Sequence, residues 1–359
     1  MPDMRCAVGT CSKADPGRVL HENMTIRPKI LIMIALPLAV FFVSLFIGRL
    51  VIDPVTLIKV LGVKLLHLPI EKDWNQAVEI VVIRIRLPRA IMAMMVGAGL
   101  SISGAAFQGM FNNPLVSPYL LGVSSGAGFG AALGIILGAG AGLIQVSSFG
   151  FGILAVVLTY LTSRVYKTTP LLMLVLSGVI VSSLFMSLIS LIKFVADPDE
   201  KLPTIVFWIM GSFGSTRLED LFLTFWPMAI GVTGLLMVRW RINLMSMGDR
   251  EAKAMGTRVE LLKGIIIFCT TLISAAAVSV CGIIGWVGLV IPHICRMWVG
   301  PDHRALLPTT IMVGASYLLV IDNIARTLTS SEIPLGILTS IIGAPFFAYL
   351  LRRSKGIFN

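Results

Sequence analysis

Apolar runs long enough to cross a bilayer follow one another along almost the whole chain, divided by short polar stretches. Backbone groups in hydrocarbon must be satisfied within their own segment, so a span is written as roughly 20 apolar residues forming a helix. The pattern predicts ten spans, over residues 30–47, 90–110, 119–137, 146–161, 171–194, 221–238, 262–281, 283–299, 306–325 and 334–351. The fourth and eighth are short enough to be read either as tilted or as partly re-entrant. One polar break stands apart, Asn243-Leu-Met-Ser-Met-Gly-Asp-Arg-Glu-Ala-Lys-Ala-Met-Gly-Thr-Arg-Val259, between the sixth and seventh runs. Gly248 and Asp249 sit where a helix would begin, Arg250, Glu251, Ala252, Ala254 and Met255 give one to two turns, and Gly256 stops it. So short a helix is unstable alone. It is expected to lie in water and to seat on a soluble partner, with the small Ala252 and Ala254 at the contact.

Composition sharpens this picture. The chain of 359 residues is 56% hydrophobic and 13% charged, against roughly a quarter charged in soluble domains. The spans follow too closely for separate soluble domains, so residues 30–355 are expected to form one all-α integral membrane domain, preceded by an N-terminal extension over 1–29. That extension lacks an apolar core and is not expected to be a cleaved signal peptide. Its Cys6 and Cys11 have no second pair nearby for a metal site, and Cys269, Cys281 and Cys295 fall in spans as ordinary small residues.

Charge orients the stack. With the N-terminus inside, the inner segments hold 18 Lys and Arg against seven acids, and the outer ones 11 against 11. The whole net charge of +11 then lies inside, as the positive-inside bias favours. Both termini are expected in the cytoplasm, and the basic balance calls for no nucleic acid. Arg84, Arg86 and Arg89 break the rule, lying on the outer side before the second span. They are read either as meeting lipid headgroups or as docking an acidic protein, since guanidinium forks pair well with carboxylates. Asp322 and Arg326 lie on the same side, one helical turn apart, either as a local pair or as part of that docking face.

Small residues recur through Gly97-Ala-Gly-Leu-Ser-Ile-Ser-Gly-Ala-Ala-Phe-Gln-Gly109, the device that lets helix backbones approach in lipid. Breaks containing Asn113 and Pro114, and later Pro292, need protein or water around them at membrane depth. At an offset of 178 residues Gly104 meets Gly282, Pro114 meets Pro292 and Gly122 meets Gly300, a hint of an inverted internal repeat of the kind transporters use. No G-x-x-x-x-G-K-[ST] phosphate loop occurs, and His21, His67, His293 and His303 lack metal-ligand spacing. The spans are nearly free of acids, which disfavours an ion-coupled carrier. An intramembrane enzyme would need an acidic or His/Cys cluster, and none is visible. External energy is the better expectation.

Arg86-Leu-Pro-Arg89, the run ending at Gln108, Asn113-Pro-Leu115, Leu121-Gly-Val-Ser-Ser-Gly126, Gly288-Leu-Val-Ile-Pro-His293, Gly300-Pro-Asp-His-Arg304, Glu332-Ile-Pro-Leu-Gly336 and Gly343-Ala-Pro-Phe346 occur in this order. Together they closely resemble the permease subunits of ABC importers for ferric siderophores, haem and cobalamin, the FecCD-like or type II permeases. The resemblance implies a homodimer in a prokaryotic inner membrane, with two cytoplasmic ATPase subunits that hold ATP and Mg, and an extracytoplasmic binding protein. No cofactor is expected in this chain, nor any covalent chemistry. The resemblance implies that the insert over residues 248–259, with Gly248, Asp249, Arg250, Glu251, Ala252, Ala254, Met255 and Gly256, couples to the ATPase, that Arg86, Arg89 and Arg326 dock the binding protein, and that Thr168 and Thr169 lie at the cytoplasmic gate. Gln108, Asn113, Pro114 and Pro292 are assigned to the path or its packing. A ferric siderophore is the expected cargo, with haem, cobalamin and molybdate or tungstate as alternatives.

Overall fold

The computed structural model describes residues 33–164 and 169–353, and every element in them is helical. Expectations that fall on residues 1–29 and on Thr168 lie outside the described residues. The ten predicted spans correspond to helices α1 (Met33–Phe46), α4 (Leu87–Phe111), α5 (Val123–Ile136), α6 (Ala141–Ser163), α7 (Leu171–Val195), α9 (Leu218–Met245), α11 (Val259–Cys281), α12 (Val287–Val299), α13 (His303–Thr327) and α14 (Leu335–Arg353), of which α4, α6, α7, α9, α11 and α13 are long and apolar enough to cross a membrane. Of the two spans expected to be short, the eighth, α12, is so at 13 residues, whereas the fourth, α6, is a full helix of 23; the third, α5, is also short at 14.

Three further helices were not anticipated: α2 (Pro54–Leu66) and α3 (Gln76–Ile80) before α4, and α8 (Lys201–Met210) before α9. Asp53 starts α2 by accepting from the Val55 and Thr56 amides, a standard N-cap. Helix α10 (Asp249–Ala254) is the short helix expected in the polar break, with Gly248 and Gly256 both at positive φ at its two ends.

Helix α4 is the centre of the bundle, packed on α9, α11, α12 and α13. It runs on from α3 through a π-helical turn, Val81–Arg86, so that residues 76–111 form one continuous helix. Pro88 accounts for part of this. It has no N–H to offer the carbonyl four residues back, and the Leu87 amide instead reaches Val82, five back. The windows of α4 and α11 are 78% and 72% buried inside the subunit, whereas those of α6 and α9 are 22% and 28% buried. Apolar helices with so little internal cover are stable only against lipid or another apolar surface.

Small residues set the spacing around α4. A Cβ added to Gly104 would overlap the Gly288 carbonyl and come within 2.7 Å of its Cα, and one added to Gly97 would overlap the Gly314 carbonyl. These contacts seat α4 directly on α12 and α13. The offset of 178 residues does not survive as an equivalence: Gly104 lies mid-helix in α4, while Gly282 ends α11 at φ +72. What recurs is an order, a long helix followed by a short one, in α4–α5 and again in α11–α12.

Candidate functional site

At the α2–α3 end of the bundle the structure gathers Arg86, Arg89 and Arg326 into one buried cluster. The preceding segment is helical rather than a loop, and it turns these side chains inward. Arg89 donates from Nε and Nη2 to Asp322 at 2.8–3.0 Å and from Nη1 to Glu332 at 2.8 Å. Arg86 donates to the carbonyls of Leu45, Phe46 and Leu50 at the end of α1. Arg326 donates to the Ser44 carbonyl at 2.7 Å and to Asn323, with Asp322 3.8 Å away.

The expectation that Arg86, Arg89 and Arg326 present free guanidinium forks is therefore corrected. They are 3%, 5% and 8% exposed and hold α1, α4 and α13 together. Burial of charge is tolerable only with such pairing. Arg84 is the exposed member of the run, and Glu332 is the half-exposed acid of the cluster. Glu332 was visible only as part of a motif. An acid two residues before a proline gives no sign that it closes on an arginine 243 positions away.

Halfway along the bundle, Gln108 and Pro292 turn out to act together. Pro292 lies inside α12 and lacks the N–H that would bond the Gly288 carbonyl. The Gln108 amide Nε2 from α4 donates instead to the Gly288 and Leu289 carbonyls at 3.4 and 3.5 Å. Arg296, one turn further along α12, fixes the amide by donating to its Oε1 at 2.8 Å. Asn113 and Pro114, in the turn that ends α4, border a cavity of about 300 Å³ with Gln108, His293, Arg296 and His303. Asn113 there accepts from the Leu115 amide. Pro292 is buried behind this cavity and does not line it.

At the opposite end, α10 has two distinct faces. Ala252 is fully buried against the subunit's own core and is not available to a partner, which corrects its expected place at the contact. Arg250, Glu251, Lys253, Ala254, Met255 and Gly256 are exposed, and Gly248 and Asp249 are half-buried at the start of the helix. Asp249 accepts from Lys263 Nζ at 2.6 Å. Thr169 is buried, its amide donating to Glu260 Oε2 at 3.1 Å and its carbonyl accepting from Lys263 at 3.2 Å. Lys263 escaped the sequence reading because it was counted only as an inner basic residue. Its signal was a lysine placed one turn after Glu260 inside an otherwise apolar run.

The chain is thus a bundle of apolar helices with a short polar helix, α10, between the sixth and seventh of them. Residues 35–353 match the FecCD transport family, and the chain belongs to it. It is a permease subunit of the ABC import type. The molybdate import system permease protein MolB of Haemophilus influenzae is 44% identical, over 91% of this chain and 96% of that one. An iron chelatin transport system permease protein of Helicobacter pylori is 41% identical, over 78% of this chain and 85% of that one. A solved structure described as an inward-facing conformation of a metal-chelate type ABC transporter superposes with a TM-score of 0.79 at 41% identity, covering 91% of this chain and 99% of that chain.

Proposed function

We propose that the chain forms a homodimeric permease in a prokaryotic inner membrane, driven by two cytoplasmic ATPase subunits that hold the ATP and Mg, and loaded by an extracytoplasmic binding protein. The observation that carries this reading is α10, a short helix fastened to its own subunit through Ala252 and bare on the opposite face. Such an element has no use in a self-contained carrier, and it fits a moving soluble partner. The excess of Lys and Arg on its side of the sequence supports a cytoplasmic location for it and for both termini. Rocking of the two subunits by ATP closure would then expose the path alternately to each side.

The arginine cluster lies at the other end and so faces outward. Docking there would work through its accessible members, Arg84 and Glu332, with the buried arginines holding the surface in shape. The cargo we put first is a molybdate-class oxyanion, because the more similar of the two named relatives imports molybdate. An iron chelate is the second reading, on the strength of the iron chelatin relative.

Replacement of Ala254 by Trp tests the coupling role. The site is exposed, so the permease should fold and dimerise while ATP-driven uptake in proteoliposomes is lost. Uptake of both [99Mo]molybdate and an iron-55 chelate, each with its binding protein, reads out the cargo. Wild-type transport by Ala254→Trp would return α10 to the status of a solvated linker.

A further inference from the structure

Lys263 is the one described lysine buried to about 1% exposure, and nothing in the transport reading yet uses it. Its ammonium carries three donors, and three groups from three places meet it. These are Asp249 at the start of α10 (2.6 Å), Glu260 one turn back on α11 (3.7 Å) and the Thr169 carbonyl just before α7 (3.2 Å). Glu260 closes the circle by accepting from the Thr169 amide at 3.1 Å. Helix α7 begins immediately after, at Leu171, and packs mainly on α5 and α6. Its first turn is thus tied to α10 through this lysine.

We propose that Lys263 is the positioning residue that transmits displacement of α10 to the start of α7 during transport. This rests on the coupling role proposed for α10. Drawing a buried ammonium away from its nearest carboxylate is unfavourable, so displacement of Asp249 pulls on Lys263 and, through it, on Glu260 and the Thr169 carbonyl. The alternative, a purely static brace, would hold α10 in place and would leave the motion of α7 independent of it.

The test uses the assembled permease with its ATPase subunits in nanodiscs, native cysteines removed, and spin labels at Lys253 on α10 or Leu172 on α7. Distances between the two copies of each label are measured with and without Mg-ATP and vanadate. In the otherwise wild-type complex both distances should shift. In Lys263→Met the Lys253 shift should persist and the Leu172 shift should be lost, with ATP hydrolysis continuing uncoupled from uptake. Lys263→Arg, which keeps charge and donors, should restore the Leu172 shift. A Leu172 shift of wild-type size in Lys263→Met overturns the proposal and leaves the coupling reading intact. Absence of any Lys253 shift in the wild-type complex overturns that reading and this proposal together. If Lys263→Met does not assemble, Glu260→Ala replaces it, at a half-exposed side chain. That variant should diminish the Leu172 shift alone, and an undiminished shift overturns the proposal.

Discussion

Replacing Gln108 by Leu separates two functions that one amide performs. The side chain is 3% exposed and meets two groups at once, the Arg296 guanidinium and the Gly288 carbonyl. Its removal leaves Arg296 without the oxygen it meets at 2.8 Å, a charge-assisted bond whose loss costs about 1.5–3 kcal/mol. It also leaves the Gly288 carbonyl with neither the Gln108 amide nor a helical partner, because position 292 is proline. The Gln108–Gly288 separation of 3.4 Å is long, so this share is at the low end, about 1 kcal/mol. Together Gln108→Leu should destabilise by about 2.5–4 kcal/mol. In Gln108→Leu/Pro292→Ala, the new amide at 292 can bond the Gly288 carbonyl within α12. The double mutant should therefore recover about 1 kcal/mol relative to the sum of the single changes, a coupling within the range seen for residues sharing a partner. Thermal unfolding in detergent, followed by tryptophan fluorescence, measures all four proteins. Additivity of the two changes to within about 0.3–0.5 kcal/mol would refute the account of Pro292 and Gln108 as one device.

Asp322→Ala removes the carboxylate from a buried arginine and should cost about 3–5 kcal/mol, seen as a lowered melting temperature; a loss under about 0.5 kcal/mol, as at a plain surface site, would mean that Arg89 is solvated. Gly104→Val forces a side chain into the Gly288 backbone, which cannot yield as a flexible side chain would. It should destabilise by about 1–3 kcal/mol or more, whereas the same change at Gly264, which has open space around it, should not incur that clash. Asp302 caps α13, and the Arg304 amide and then the Asn243 side chain hold its carboxyl below its ordinary range. A depressed folded value means that the stabilisation is present above the unfolded value and lost as pH falls through the folded one. Asp302→Ala should cost about 0.5–2 kcal/mol near neutrality and flatten the acid limb of a stability–pH curve.

The apolar helices and the short polar helix α10 were legible because both are written in local pattern, apolar length in one case and glycine brackets in the other. Burial direction was not. Ala252 reads as a small contact residue in sequence, yet which way a six-residue helix faces depends on α9 and α11 on either side of it. The arginines were legible as a departure from the charge bias. Their partners Ser44 and Asn323 lie 279 positions apart in sequence, with Ser44 282 from Arg326, and no local spacing announces such a meeting. Gln108 and Pro292 were singled out separately. Their joint action needed the close approach of α4 to α12, which only the pairing of Gly104 with Gly288 creates.

The π turn at Val81–Arg86 ties the orientation of the α2–α3 hairpin to chain length. A π turn accommodates one residue more than an α turn, so a single deletion within it can be absorbed by relaxation to regular helix. Each residue corresponds to roughly 100° of rotation about the axis, and that rotation would fall on α2 and α3 while α4, and α1 tied to it, stayed in place. The Lys64–Glu79 pair at 2.6 Å travels with α2 and α3, while Arg86, at the α4 end of the turn, keeps its hold on the carbonyls of Leu45 and Phe46. One codon lost within the turn would therefore re-aim α2 and α3 together, with no substitution in the bundle beneath.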